Sequence, residues 1–100
     1  MITKFDIEID NATVIATCQR LTNQIWKLIP MRENEEDWQK QLETCLNEVV
    51  GLADVFGVYP KFLETVIKLD GMLIRDSDFG FFRKTVFETI GLVQELKKSL

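Results

Sequence analysis

The stretch DWQKQLETCLNEVVGLADVFGVYP, residues 37–60, decides how the chain is read. Trp38, Leu42, Cys45, Val49, Leu52 and Phe56 recur at alternating spacings of four and three, which stacks them on one side of a helix. The acidic run ahead of them favours the positive end of a helix dipole, so a start near Asn34 or Glu35 is expected. Gly57 supplies a stop, and Pro60 suits the first turn of the next helix. Upstream, Val14, Cys18, Leu21, Ile25 and Leu28 repeat the spacing, with Asp10 or Asn11 as the cap. Pro30 disfavours helix at Ile29 and predicts an end there, leaving Arg32 to Asp37 as the connection. Downstream, Phe62, Val66, Leu69 and Leu73 form a third stripe, with Leu63, Ile67 and Ile74 beside it. Gly71 lies inside that run, and either admits a close backbone approach or marks its end. After the Asp76-Ser77-Asp78 capping cluster, Phe82, Val86, Ile90, Val93 and Leu96 define a fourth helix, about Phe79 to Lys98. Lys97 and Lys98 fall at its negative end.

Four amphipathic helices with short connections predict an all-α fold, an antiparallel four-helix bundle over residues 11–100. A domain-swapped dimer of helical hairpins would use the same pattern. Residues 1–10 differ. Phe5, Ile7 and Ile9 alternate with charged residues in the period of a half-buried strand. A lone strand needs an edge that a helical protein does not offer. The segment is therefore expected either as an extended arm across the bundle or as a strand paired with its copy in a second subunit.

One hundred residues make one domain, and 46% apolar with 28% charged residues is a globular composition. A net charge of −4 and dispersed Lys and Arg residues argue against nucleic acid as a partner. No run is apolar and long enough to span a membrane, and residues 1–10 lack a secretory core, so a cytoplasmic location is the default. A short acidic helical chain also suits a phage or mobile-element origin. There is no histidine, which removes the commonest general base and metal ligand. Cys18 and Cys45 sit on core stripes and read as buried thiols, offset by about one helical turn across the first hairpin. No cofactor is expected.

The remaining chemistry is carboxylate chemistry. Asn47-Glu48-Val49-Val50-Gly51-Leu52-Ala53-Asp54-Val55 resembles a helix of the all-helical MazG-type nucleotide pyrophosphatases. In that family, clustered acidic residues hold magnesium. The resemblance implies a magnesium-dependent nucleotide hydrolase with Glu48 and Asp54, joined by Glu35 and Glu36, as metal ligands. Asn47 and Gly51 stand where the family has glutamates, and the second acidic motif is missing.

The stronger signal is an apolar surplus. Phe81 and Phe87 fall off the inward stripe of the fourth helix, and Leu63 and Met72 off that of the third. Either the bundle covers these residues internally or they form an exposed apolar patch, and such patches mark contact surfaces. The leading expectation is a non-enzymatic protein-interaction module (an adaptor, assembly subunit or small inhibitor) that self-associates as a homodimer. Its predicted contact residues are Phe5, Ile7, Ile9, Phe81 and Phe87. A bundle holding a small apolar molecule is a third reading.

Overall fold

The computed structural model describes residues 1–56, 59–74 and 78–100, with the side chain of residue 74 also left out. Gly57, the expected stop, and Asp76-Ser77 of the expected capping cluster lie outside the described residues, as does the side chain expected at Ile74.

Four long helices, α1 (Asn11–Trp26), α3 (Trp38–Val55), α4 (Pro60–Ile74) and α5 (Phe79–Lys98), are joined by a short α2 (Leu28–Glu33). Three aspartates cap them: Asp10, Asp37 and Asp78 accept from the backbone N–H of Thr13, Lys40 and Phe81. Each satisfies a donor that the first helical turn leaves unpaired. Pro60 opens α4, where a missing N–H has no consequence.

Two boundaries differ from expectation. The chain breaks at Lys27 and restarts, so Pro30 does not end a helix but sits in the first turn of α2. There its N–H would have had no acceptor within the helix. The next helix begins at Trp38 rather than Asn34 or Glu35, because Glu35 adopts a left-handed φ of 56° after α2. The acidic run is the turn and the cap, not a first helical turn.

Each long helix packs antiparallel to its two neighbours. Gln41 of α3 donates to Gln24 of α1, and Arg20 pairs with Glu48. Lys61 and Lys68 of α4 meet Glu95 and Glu88 of α5. Lys97 of α5 reaches Gln19 and closes the ring. The order around the core is thus α1, α3, α4, α5, an up-down-up-down bundle of 42 × 22 × 19 Å.

The expected inward stripes of α1, α3 and α5 line the core, with Trp38 and Leu52 half-buried at its margin. On α4 the stripe is turned: Phe62, Thr65, Leu69 and Met72 are buried, so Met72 is core rather than surplus. Threonine explains the shift. Thr65 donates its hydroxyl to Lys61 O at 2.7 Å, and Thr22, Thr85 and Thr89 likewise bond the carbonyl four residues back. A threonine whose hydroxyl is satisfied by its own helix presents a methyl group to the core.

One end of the bundle is sealed by α2, with Leu28 and Ile29 buried. Beside it the Arg32 guanidinium stacks over Phe82 at 4.6 Å and Trp38 at 4.9 Å, so a residue expected in solvent is a cation–π seal. The other end is sealed by residues 1–10.

That segment is not an extended strand. Among the described residues the only bridge is Ile2 to Glu8. The chain doubles back at Asp6, with φ 58°, through Thr3 N–H to Ile7 O, Asp6 N–H to Thr3 O and Ile9 N–H to Met1 O. Met1 and Thr3 are the buried members, while Phe5 and Ile7 point to solvent. The alternation is real but the turn reassigns its faces, and donors that strand pairing would need are used within the chain.

Candidate functional site

The folded-back arm is held at several points. Lys4 N–H caps the end of α3 by donating to Val55 O at 2.8 Å, and its ammonium pairs with Asp54 at 2.9 Å. A cation there also suits the negative end of the α3 dipole. Ile2 N–H donates to the Tyr59 hydroxyl at 3.2 Å, and Thr3 Oγ1 accepts from Phe5 and Ile7 N–H. The result is a knuckle with a paired backbone that holds Ile2, Phe5 and Ile7 outward, Phe5 66% and Ile7 57% exposed.

From Tyr59 an apolar strip runs along the outer face of α4. Leu63 and Ile67, 59% and 62% exposed, follow at four-residue steps, and Gly71 continues the line. A Cβ on Gly71 would meet nothing within 4 Å among the described residues, so none of them requires glycine there. The strip ends in a groove of about 480 Å³ between α4 and α5, lined by Ile67, Gly71 and Phe81 with Lys68, Lys84 and Glu88 at its sides. Hydrogen bonding from Lys68 holds the Glu88 carboxyl below its usual range, so Glu88 remains charged at neutrality.

Five contact residues were expected from the sequence, and they fall in separate places. Phe5 and Ile7 lie on the knuckle. Ile9 is half-buried against the core and belongs to the wall of a cavity. Phe81 lines the α4–α5 groove at the opposite end from the arm. Phe87 is on the other flank of α5, edge-on to Trp26 of α1 at 5.0 Å, with Arg83 over its ring. Ile2, Leu63, Ile67 and Gly71 link the knuckle to Phe81 and were missed as contact residues. For the α4 members the signal was the four-residue repeat of Tyr59, Leu63, Ile67 and Gly71, which runs beside the buried residues.

The carboxylates of the hydrolase reading do not converge. Glu35 and Glu36 stand in the turn before α3, whereas Asp54 is at its far end, about 24 Å away at helical rise. Glu48 lies between them against Arg20, and Asp54 is taken by Lys4. Among the described residues no three metal-ligating side chains cluster.

Both cysteines are free and buried. Burial, reinforced by nearby Glu48, pushes the Cys45 thiol up to about 11, and burial likewise raises Cys18. Neither is a thiolate at neutrality, so neither is an activated nucleophile.

Near the arm, α1, α3 and α4 leave a cavity of about 250 Å³ lined by Ile9, Val14, Cys18, Leu52, Val55, Phe56 and Phe62, with Thr13 and Thr17 at its edge. No helix is long and apolar enough to cross a membrane among the described residues. No family model matches the chain, and no curated protein or solved structure matches it either.

Proposed function

We propose that the chain is a non-enzymatic protein-interaction module that self-associates through the outer face of α4. The supporting observation is the strip from Ile2 through Leu63 and Ile67 to Gly71, large apolar groups in solvent beside a glycine that none of the described residues requires. Exposed aliphatic groups in a continuous line are the feature of a surface completed by another molecule.

The occupant that fits best is a second copy, antiparallel, with a two-fold axis near Ile67. Tyr59, which holds Ile2, is eight residues below Ile67. The Lys61–Glu95 and Lys68–Glu88 pairs set Phe81 level with the end of α4, about eight residues above it. Both offsets are about 12 Å at helical rise. The two-fold therefore brings the knuckle of each copy to the groove of the other. Charge agrees in its balance: on the knuckle Asp6 and Glu8 outnumber Lys4, which is paired with Asp54, and in the groove Lys68 and Lys84 outnumber Glu88. A self-complementary patch of this kind closes as a dimer rather than growing into a filament.

The test is the native mass by light scattering over a range of concentrations. A mass twice the 11.6 kDa of one chain, falling towards one chain on dilution, is the expected result. A single-chain mass at every concentration removes the reading.

A further inference from the structure

We propose that the cavity beneath the arm is a binding site for a small, uncharged, apolar molecule. The cavity is separate from the α4 strip, on the α1–α3 side of the bundle, and it goes beyond self-association. Its walls come from four elements: Ile9 of the arm, Val14 and Cys18 of α1, Leu52, Val55 and Phe56 at the end of α3, and Phe62 of α4. Phe56 and Phe62 stack at 5.6 Å and give an aromatic side to the pocket.

The chemistry of the lining selects the class of ligand. Two hydroxyls border it, and both are committed: Thr13 Oγ1 donates to Asp10 Oδ2 at 3.0 Å, and Thr17 Oγ1 to Thr13 O at 3.0 Å. The Cys18 thiol stays protonated because burial raises it. Among the described residues no charged side chain lines the space. Water needs two to four polar partners to settle in such a site, and an ion needs more. A carbon-lined space holds neither well, whereas an engineered apolar cavity on the order of 150 Å³ takes up benzene. At about 250 Å³ this one accommodates a bicyclic aromatic or a short alkyl chain.

The arm is part of the wall. Ile9 is paired to Met1 through backbone hydrogen bonds in both directions, and Val55 accepts from Lys4. These bonds hold Ile9 and Val55 in place, and the space opens beside Thr13 and Thr17 of α1, away from the outer face of α4.

Naphthalene is the probe. Titrated into the full chain, it should shift the methyl resonances of Val14, Leu52 and Val55 saturably and raise the melting temperature. Cys18→Met, which fills the cavity from its wall, should weaken binding at least tenfold. Thr17→Leu, at a half-buried position, should weaken it at least threefold with helicity unchanged. The same titration on Ile67→Glu separates the two proposals, because a site within one chain binds equally well when self-association is lost. Shifts confined to Leu63 and Ile67, binding that both filling variants leave unchanged, or no shift at the lining methyl groups would each overturn the assignment.

Discussion

Two flanks of the bundle carry exposed apolar side chains, and they differ in what surrounds them. At the α1–α5 corner, Phe87 is 44% exposed, yet its ring meets Trp26 edge-on and lies under the Arg83 guanidinium. That corner is a closed set of contacts within one chain. On the outer face of α4, Leu63 and Ile67 are more exposed, and the residue that continues their line is a glycine with open space before it. Exposure alone does not mark an interface. What distinguishes the α4 face is aliphatic surface in a line, with basic side chains at one end and an acidic, apolar knuckle at the other.

The contrast is sharpest under substitution. Ile67→Glu should weaken self-association by about 3 kcal/mol, more than a hundredfold, with circular dichroism unchanged. Sedimentation equilibrium reads this directly. Phe5→Asp, at the knuckle, should cost about 1.4 kcal/mol of association, or tenfold, because in the proposed pairing Asp6 and Glu8 would still face the lysines of the second copy. Phe87→Ala should leave association within twofold and instead lower the stability of the chain by about 1 kcal/mol, seen in urea denaturation, through loss of the edge-on contact. An association defect from Phe87→Ala as large as that from Ile67→Glu would dissolve the distinction.

Glycine offers a subtler comparison. Gly91 and Gly71 both have nothing within 4 Å of a built Cβ. Alanine at either should stabilise the isolated chain by up to about 1 kcal/mol from helix propensity. Only Gly71→Ala should also weaken association, by a fewfold. Equal association constants for the two variants would mean that no partner approaches Gly71.

The smallest effect is that of pH. Asp10 is held below its ordinary 3.8 chiefly by the Thr13 N–H. Glu88 and Glu95 lie below 4.5 through hydrogen bonds from Lys68 and Lys61. A carboxylate with a depressed native value stabilises the fold fully above its ordinary value and loses that contribution as pH falls through the native one. Urea midpoints should therefore decline between neutrality and acid, starting near 4.5. All three groups are exposed, so the decline is shallow. Lys61, raised by Glu95, gives the opposite limb, full below 10.5 and lost as pH rises past its native value.

Much of the fold was legible because three of its four stripes are written in large apolar residues, and because Asp10, Asp78 and Pro60 mark helix starts by local chemistry. The α4 stripe was misread by one position because Thr65 looks polar in a sequence, although its hydroxyl is spent on Lys61 O. The same error placed Met72 among the surplus with Leu63 and left Ile67 beside the stripe rather than on the surface. Pro30 misled because its effect depends on whether it falls inside a helix or in a first turn, and only the break at Lys27 decides that. The arm was separable from the bundle by its period, but its faces were set by a turn at Asp6 that the alternation gave no sign of. Phe5 and Ile7 were named as contact residues for a strand, and they are outward for a different reason.

The most direct measurement is the cross-linking of Ile67→Cys under mild oxidation. Cys18 and Cys45 are buried with raised thiol values, so the new cysteine is the reactive one. With Ile67 at the two-fold axis, the account predicts rapid conversion to a covalent dimer, while Glu43→Cys on the exposed side of α3 stays monomeric. Cross-linking of Ile67→Cys no faster than that of Glu43→Cys would contradict an antiparallel pairing of α4 faces.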